Sequence, residues 1–321
     1  MTKAMKQLAV LSLSVLLLAA GPASWAQDRA IEMVLGLAPG GAADASARLV
    51  AQHLEKILAR SIVVVNRPGA GQVIAAGQLA KSAPDALMIG YLTNAIITSE
   101  LSGLSKGAYQ VSELKPACQI NASGSVLVVR ADLPVKTYQE FERYAKDHVV
   151  SAGHQGNGSA NHMRLVMLSK HRGVPLSLVP YRGESDVLTN LLGRHVDAAA
   201  VSPTTALRNL DSGKFRVLLS WEELHADKFG VKLPLLKEID VGIPDVGVKT
   251  YLWTRASAPR DFNDRLSAAC DNLATSDAFR REFIGAGFDL VYRSGVQARE
   301  DIQVDLQRYR QILKDLDISA R

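Results

Sequence analysis

The sequence predicts an α/β fold in which parallel strands are covered by helices. Short apolar runs of strand length alternate with longer segments whose apolar residues recur at helical spacing. Turns that contain glycine or proline separate these segments. The sequence contains no fixed-period repeat and no low-complexity tract. Repeated alternation of this kind is typical of parallel sheets with helices on their faces.

The first part of the chain predicts several strands in succession. "IEMVLGLA" predicts a strand followed by a helix at about 43–59, and "SIVVVNRP" predicts a second followed by a helix at about 71–82. "ALMIGYL" predicts a third strand, followed by a short helix. "PACQINAS" and "SVLVVRAD" are rich in strand-forming residues and predict two more.

The rest of the chain continues the alternation. Further strands are predicted for "VVSAGHQGNGS", which ends in a loop, and for "PLSLVPY", "VDAAAVS", "FRVLLSW" and "FDLVYRS". Helices are predicted for "TYQEFERYAKDH", "ANHMRLVMLSKHRG", "ESDVLTNLLGRH", "TTALRNLDSG" and "PRDFNDRLSAACDNLATSDAFRREFIGAG". The final helix is expected from about Val296 to Asp315.

Residues 1–26 are predicted to be a secretory signal peptide. Two lysines precede the 13-residue apolar run "LAVLSLSVLLLAA", which is shorter than the roughly 20 residues that span a bilayer. "GPASWA" then ends in a cleavage pattern, so we expect cleavage after Ala26, with an uncleaved anchor as the alternative. No later apolar run is long enough to be a transmembrane helix.

The mature chain is large enough for two domains and only mildly basic. Removing 26 of the 321 residues leaves about 295, and losing Lys3 and Lys6 lowers the net charge from +5 to about +3. No basic block interleaved with aromatic residues occurs, so nucleic-acid binding is not expected. Cys118 and Cys270 are the only cysteines, and the sequence does not decide whether they pair.

Ligands of such sheets bind beyond the carboxyl ends of the strands, on loops that lead into helices. The candidate loops are therefore Leu37–Asp44, Arg67–Gln72, Thr93–Ala95, His154–His162, Tyr181–Ser185 and Ser202–Thr204. The first of them, "LAPGGAAD", places two glycines and an aspartate where a strand turns into a helix. Such a turn presents free backbone N–H groups at the positive end of the helix, which suits an anion.

Neither nucleotide binding nor hydrolysis is favoured by the motifs. "GAGQVI" at 69–74 and "GNGSAN" at 156–161 each lack the third small residue of a dinucleotide fingerprint, having Ile74 and Asn161 there. The P-loop and the G-x-S-x-G nucleophile elbow are absent. Ser159 precedes His162 at a predicted helix start, where a serine is better explained as an N-cap or a ligand hydrogen bond.

No metal or cofactor site is expected. His148, His154, His162 and His171 are close in sequence, but their spacing does not match a metal-binding motif. The remaining candidate loops offer mainly backbone N–H groups and small hydroxyls, with few titratable groups. A catalytic site usually needs a base, an acid or a nucleophile that converge, so the sequence favours binding, in particular of a carboxylate.

Several motifs in the same order resemble the Bug-type periplasmic solute-binding receptors of tripartite tricarboxylate transporters. The matching segments are "VLGLAPGGAADASARLVAQHL", "IVVVNRPGAGQVIAAGQLAKSAPD", "GNGSANHM", "VPYRG" and "NLLGRHVD". The resemblance implies a two-lobed periplasmic-binding-protein (Venus flytrap, type II) fold with two chain crossovers. It also implies a first lobe of 27–125 plus 244–321 and a second lobe of 126–243. The protein is then expected to be a periplasmic monomer that closes around a small carboxylate and delivers it to membrane transporter subunits.

The resemblance also implies the ligand-binding residues. In the first lobe these are Leu37, Pro39, Gly40, Gly41, Ala42, Ala43, Asp44, Thr93 and Asn94. In the second lobe they are Gly156, Asn157, Gly158, Ser159, His162, Tyr181, Gly183 and Ser202, to which His154 is added as a possible donor or a surface residue. Asp44 has the alternative of capping the helix or holding the loop.

This chain departs from the family pattern in the first loop. Leu37 replaces an aromatic residue, and Ala42 and Ala43 provide no hydroxyl, which hints at a ligand less polar than citrate. Two other functions stay open at this point. One is a receptor that reports its ligand to a membrane signalling protein, and the other is an exported α/β enzyme that uses Ser159 or His162.

Overall fold

The structure, a computed structural model, describes residues 29–222, 229–239 and 246–317. Within them the chain forms two lobes, each built on one mixed sheet with helices on both faces. The predicted signal peptide with its cleavage after Ala26 lies outside the described residues. No helix in the described part of the chain is long and apolar enough to cross a membrane.

The first lobe contains a six-stranded sheet whose strands come from both ends of the chain. Its strand order is β11-β4-β10-β3-β1-β2. The elements are β1 (Ile31–Leu35), α1 (Ala42–Leu58), β2 (Ile62–Asn66), α2 (Val73–Ala80), β3 (Met88–Thr93), α3 (Ala95–Leu101), β4 (Leu114–Ser123), β10 (Val248–Arg255), α9 (Arg260–Thr275), α10 (Asp277–Gly285), β11 (Leu290–Ser294) and α11 (Gly295–Asp315).

The second lobe contains a five-stranded sheet of order β7-β6-β8-β5-β9. Its elements are β5 (Val126–Arg130), α4 (Tyr138–Asp147), β6 (Val150–His154), α5 (Ala160–Arg172), β7 (Leu176–Pro180), α6 (Glu184–Leu192), β8 (Ala198–Val201), α7 (Pro203–Asn209), β9 (Phe215–Ser220) and α8 (Leu236–Ile239). Short 3₁₀ helices cover Ala70–Gln72, Val111–Glu113 and Leu210–Ser212.

The expectation of parallel sheets is wrong for β5 and β10, which enter a sheet from the other lobe, and for β11, which is antiparallel to its neighbour β4. β1 is parallel to β2 and β3, and β6 is parallel to β7 and β8. In contrast, β5 is antiparallel to β8, and β10 is antiparallel to β3. A strand that arrives from the other lobe starts at the edge where the parallel strands end, so it runs in the opposite direction.

Apolar side chains fill both faces of each sheet. In the first lobe, α1, α9 and α10 cover one face, and α2, α3 and α11 cover the other. In the second lobe, α4 and α5 pack on one face, and α6 and α7 pack on the other. Side chains such as Leu54, Leu79 and Phe141 are completely buried, and each contributes about 1.5–3 kcal/mol to folding.

The chain passes between the lobes at two places. The first is the two-residue link of Gly124 and Ser125, and the second lies between α8 and β10, because α8 still packs in the core of the second lobe. Trp221 N donates to Ser125 O at 2.9 Å, and Ser125 N donates to Glu222 Oε2 at 2.8 Å. Glu222 also pairs with the buried guanidinium of Arg164 on α5, so this carboxylate connects the first crossover, the segment after β9 and α5.

The lobe boundaries predicted from the sequence stay a prediction. All strands of the six-stranded sheet lie within 31–123 and 248–294, and all strands of the other sheet lie within 126–220. The predicted boundary between 243 and 244 lies outside the described residues. Cys118 on β4 and Cys270 on α9 form a disulfide, which the sequence alone left open.

Candidate ligand-binding cleft

The loops of the two lobes line a cleft with about 630 Å³ of empty space, which includes open solvent at its mouth. Six of the predicted ligand-binding residues line it, namely Leu37, Gly41, Ala42, Ala43, Thr93 and Ser202. The other lining residues are Ala38, Ser46, Asn121, Ser123, Gln155, Glu184, Thr204, Val248, Thr250, Phe288 and Asp289. The structure therefore brings the first loop, the end of β3 and the start of α7 to one site.

The first turn of α1 opens into this cleft. Gly41 is the N-cap of the helix and no side chain caps it, so the first backbone N–H groups have no partner within the helix. Ala42 and Ala43 follow directly and line the cleft. Gly40 has a φ of 84°, a left-handed conformation that favours glycine and reverses the chain into the helix.

Asp44 shapes the loop and does not line the cleft. Its carboxylate accepts hydrogen bonds from Gly40 N (3.1 Å), from Arg48 Nε and Nη2 (3.1 and 2.9 Å) and from Asn66 Nδ2 (3.0 Å). Burial alone would raise the pKa of Asp44, but these hydrogen bonds and the charge of Arg48 hold it below its usual value. The carboxylate thus fixes the turn that presents α1 to the cleft.

Thr93 and Asn94 end β3 but have different surroundings. Thr93 lines the cleft, and its N–H donates to Gln72 Oε1 at 3.1 Å. Asn94 is buried, and its amide donates to Gly247 O at 2.8 Å and contacts Tyr309 Oη at 2.5 Å. Asn94 therefore connects β3 to the segment before β10 and to α11, away from the cleft.

The glycine turn of the second lobe borders a separate cavity. Gly156, Asn157 and Tyr181 line this cavity, which has an empty volume of about 650 Å³, together with residues of the Gly69–Gln72 turn. Leu37 and Gln155 line both this cavity and the main cleft. Nine of the eighteen predicted ligand-binding residues therefore line one or both of these neighbouring spaces, and the other nine line neither.

Ser159 and His162 belong to the start of α5. Ser159 Oγ accepts a hydrogen bond from His162 N at 3.1 Å and caps the helix. Gly158 N donates to His162 Nδ1 at 3.2 Å, so the ring proton of a neutral His162 is on Nε2. Neither Ser159 nor His162 is among the described residues that line the cleft or the second cavity.

His154 is completely buried and lines neither space. Its Nδ1 lies 3.0 Å from Gly156 O, and because a carbonyl only accepts, Nδ1 has the proton. Burial, with a smaller effect from His162, lowers the pKa of His154 to about 3, and burial lowers the pKa of His162 to about 4. The His154 and His162 rings, 4.7 Å apart, are therefore neutral at pH 7.

Glu184 is the most important cleft residue that the sequence analysis did not identify. Its Oε1 accepts from Ser202 N at 2.9 Å, and its Oε2 accepts from Ser202 Oγ at 2.7 Å and Thr205 Oγ1 at 2.6 Å. Burial raises its pKa, although the hydrogen bonds from Thr205 and Ser202 act against this. In sequence it looks like an ordinary acidic residue in the first turn of a helix.

The cleft has acidic but no basic side chains. Glu184 and Asp289 line it, whereas Lys, Arg and His are absent from the described residues that surround it. An anion in this cleft would therefore be held by backbone N–H groups, hydroxyls and amides, and not by an ion pair. Asn121, Ser123 and Thr250 provide such groups from the ends of β4 and β10.

Hydrogen bonds connect the two lobes around the cleft. Ala38 N donates to Arg182 O at 3.2 Å, and Ser185 Oγ donates to Pro39 O at 3.0 Å. On the other side, Thr204 Oγ1 donates to Gly287 O at 2.5 Å. Gly183 lies next to Ala38, where a Cβ at Gly183 would be 3.0 Å from Ala38 N. The loops are therefore in contact, as in a closed binding protein.

Two lobes joined by two crossovers, with a cleft between the carboxyl ends of their strands, define a two-lobed binding protein. Residues 46–318 match the family described as "Tripartite tricarboxylate transporter family receptor" (TctC), and the chain belongs to this family. A relative is the "UPF0065 protein in gbd 5'region" of Cupriavidus necator, 34% identical over 233 residues, which are 70% of each chain.

Solved structures share the fold. Rpa4515 of R. palustris with adipate has a TM-score of 0.84 at 21% identity, over 92% of this chain and 99% of that chain. MatC of Rhodopseudomonas palustris with bound malate has a TM-score of 0.79 at 24% identity, over 89% and 99%. Members of the family are periplasmic binding proteins, and this chain has their two-lobed fold.

Proposed function

We propose that this protein captures a small carboxylate-bearing ligand in the cleft between its lobes and delivers it to a tripartite tricarboxylate-type membrane transporter. The observation that carries this proposal is the first turn of α1. Ala42 and Ala43 line a cleft whose described lining residues include no basic side chain, and no side chain caps the helix. Free N–H groups at a helix N-terminus attract a carboxylate through hydrogen bonds and through the helix dipole.

Ligand capture would be coupled to closure of the lobes, without covalent chemistry. The Ala38–Arg182 and Ser185–Pro39 hydrogen bonds join the loop before α1 to the loop and first turn of α6. A ligand that contacts both lobes would stabilise this closed arrangement, because it binds the closed state better than the open state. The adipate and malate of the structurally similar proteins support a carboxylate as the ligand class.

An enzymatic role is not favoured by the two residues that the sequence offered for it. Ser159 Oγ accepts from the backbone of α5, and His162 Nδ1 accepts from Gly158 N. Neither group is aimed at the cleft as a nucleophile or a base would have to be. The family relatives are receptors, which also supports a binding protein.

A thermal-shift screen of mono-, di- and tricarboxylates, amino acids and aromatic acids tests the proposal. A ligand at 100 times its Kd adds about 2.7 kcal/mol, which should raise the Tm by roughly 5 °C. If no carboxylate raises the Tm at millimolar concentration, the protein is not a carboxylate receptor. Uptake of the identified acid should fall when the gene is deleted, whereas unchanged uptake with a lost transcriptional response would favour sensing.

Two matched variants locate the site. Ala42→Asp adds a carboxylate inside the cleft and should abolish the ligand-induced Tm rise by repelling the anion. Ala45→Asp adds the same charge to the same turn, but Ala45 does not line the cleft, so the Tm rise should persist. An equal Tm rise in both variants would show that the ligand binds elsewhere.

A further inference from the structure

Glu184 places a negative charge in the wall of the cleft, on the lobe that faces α1. We propose that Glu184 determines specificity by occupying the donors of the second lobe, so that the cleft accepts an acid with one carboxylate and a hydrogen-bond donor at its other end. This inference rests on the proposed function, because it assumes that α1 holds a ligand carboxylate. It would separate this protein from relatives whose solved structures contain the diacids adipate and malate.

The first argument is that Glu184 already uses the donors a second ligand carboxylate would need. Ser202 N, Ser202 Oγ and Thr205 Oγ1 all lie within 2.9 Å of its carboxylate oxygens. Ser202 Oγ also accepts from Thr205 N at 3.2 Å and lies 2.9 Å from Thr205 Oγ1, so the two hydroxyls and the Glu184 carboxylate form one hydrogen-bonded cluster. Ser202 lines the cleft, but its donors are directed at the protein's own carboxylate.

The second argument is the charge balance of the cleft. Glu184 is 8% exposed, and Asp289 lines the same cleft, with no Lys, Arg or His among the described lining residues. The second carboxylate of a diacid would approach Glu184, with no Lys, Arg or His among the described residues that line the cleft, and like charges at close range repel strongly in a partly buried site.

The third argument is that Glu184 keeps acceptor capacity for a ligand. An ionised carboxylate has about four lone-pair sites, and the protein donors around Glu184 use three of them. A ligand hydroxyl or ammonium group that reaches Glu184 would use the remaining site. The preferred far end of the ligand is therefore a donor, neutral or cationic, and not an anion.

Pairs of acids with matched chain lengths test this directly. The probes are 4-aminobutyrate against succinate, 5-aminopentanoate against glutarate, and 6-aminohexanoate against adipate, measured by calorimetry. For the chain length that fits, we expect the amino acid to bind the unmodified protein at least ~10-fold more tightly than the diacid, because only the diacid brings a second negative charge. Tighter binding of the diacid would overturn the inference.

The Glu184→Gln variant removes the charge but keeps the size and an acceptor oxygen. The ratio of the two affinities should shift by at least ~10-fold toward the diacid. Asp197→Asn is the matched control, because Asp197 also accepts from a backbone N–H and a hydroxyl of the second lobe but does not line the cleft. If Glu184→Gln leaves the ratio unchanged, Glu184 does not determine specificity.

The outcomes separate this inference from the proposed function. If carboxylates bind but Glu184→Gln does not change their ranking, only the inference fails. If no probe and no acid of the wider screen binds, the proposed function fails and the inference fails with it. Should Glu184→Gln not fold, the ranking of amino acid and diacid on the unmodified protein still decides the question.

Discussion

Gly71 of the first lobe packs against the carbonyl oxygen of Asn157 in the second lobe, and a Cβ at Gly71 would lie 2.5 Å from that oxygen. Both residues belong to glycine turns that resemble part of a dinucleotide fingerprint in sequence. Their contact indicates that these glycines have a packing role and not a nucleotide-binding role. They allow two backbones from different lobes to approach each other closely.

Replacing Gly71 by alanine should weaken ligand binding by hindering lobe closure. The added Cβ would clash with Asn157 O across the lobes and lie 2.8 Å from Ser99 Oγ within the first lobe, and the φ of 61° is strained for alanine. We expect at least a ~10-fold loss of affinity for the best carboxylate, equivalent to about 1.4 kcal/mol. Calorimetric titration measures this.

Gly107→Ala is the control for this substitution. Gly107 has a similar φ of 75° but no atom within 4 Å of its Cβ position. It should therefore cost about 1–2 kcal/mol of folding stability from the backbone alone and leave the affinity unchanged. Equal affinities of the two variants would show that the Gly71–Asn157 contact is irrelevant to closure.

Removing the charge of Glu222 should destabilise the second lobe next to the Gly124–Ser125 crossover. Arg164 is 1% exposed, so Glu222→Gln would leave its guanidinium without this carboxylate partner in a buried position. Breaking a buried pair typically costs about 3–5 kcal/mol. Urea unfolding measures this. Asp186→Asn, which breaks the exposed Arg182–Asp186 pair, should cost less than about 1 kcal/mol.

The folding stability should fall in mild acid because His154 and His162 are buried as neutral rings, and the pKa of His154 is the lower of the two. The pKa of His154 is about 3 in the folded protein against 6.5 for the unfolded chain, so the unfolded chain binds the extra proton as the pH falls below 6.5. Between pH 7 and pH 5 this should remove about 2 kcal/mol. Urea unfolding of His154→Asn should show a loss smaller by that amount.

The exposed His148 provides the control for this pH effect. His148 stacks on Tyr144 with ring centroids 4.0 Å apart, at the surface end of α4. His148→Asn should therefore retain the acid sensitivity of the unmodified protein. If His154→Asn loses as much stability between pH 7 and pH 5 as the unmodified protein, burial of His154 is not the cause.

The double variant Cys118→Ala, Cys270→Ala should be less stable but should still bind the ligand. The disulfide closes a loop between residues 152 positions apart, and restricting the unfolded chain in this way contributes about 2–5 kcal/mol. Neither cysteine lines the cleft, so the affinity for the best carboxylate should be unchanged. A Tm equal to that of the unmodified protein would contradict this prediction.

Local sequence patterns were sufficient for most elements of the fold. The helix expected at about 43–59 is observed at Ala42–Leu58, and the final helix begins one residue before Val296. The helical stretch after Pro259 is two helices, because Ser276 has an extended conformation and caps the second one. The reversed direction of β5 and β10 follows from the path between lobes, which no local pattern contains.

The site was less predictable because side chains that meet in it are far apart in sequence. Glu184, Asn121 and Thr250 face one cleft, but the sequence gives each of them an ordinary role in a helix start or a strand. Asp44 could be recognised as a loop-holding residue, since its partners Gly40 and Arg48 are four positions away. The Glu184–Ser202 contact spans 18 positions and depends on α6 and α7 packing on the same face of the five-stranded sheet.

The disulfide has a topological consequence for the second lobe. The backbone between Cys118 and Cys270 and the bond between their side chains form a covalent ring, and the whole five-stranded sheet lies within this ring. A protease that cuts once in the second lobe therefore separates no fragment from the molecule. Both parts of the cut second lobe remain covalently joined to the first lobe, so the strands of the second lobe can reassemble intramolecularly.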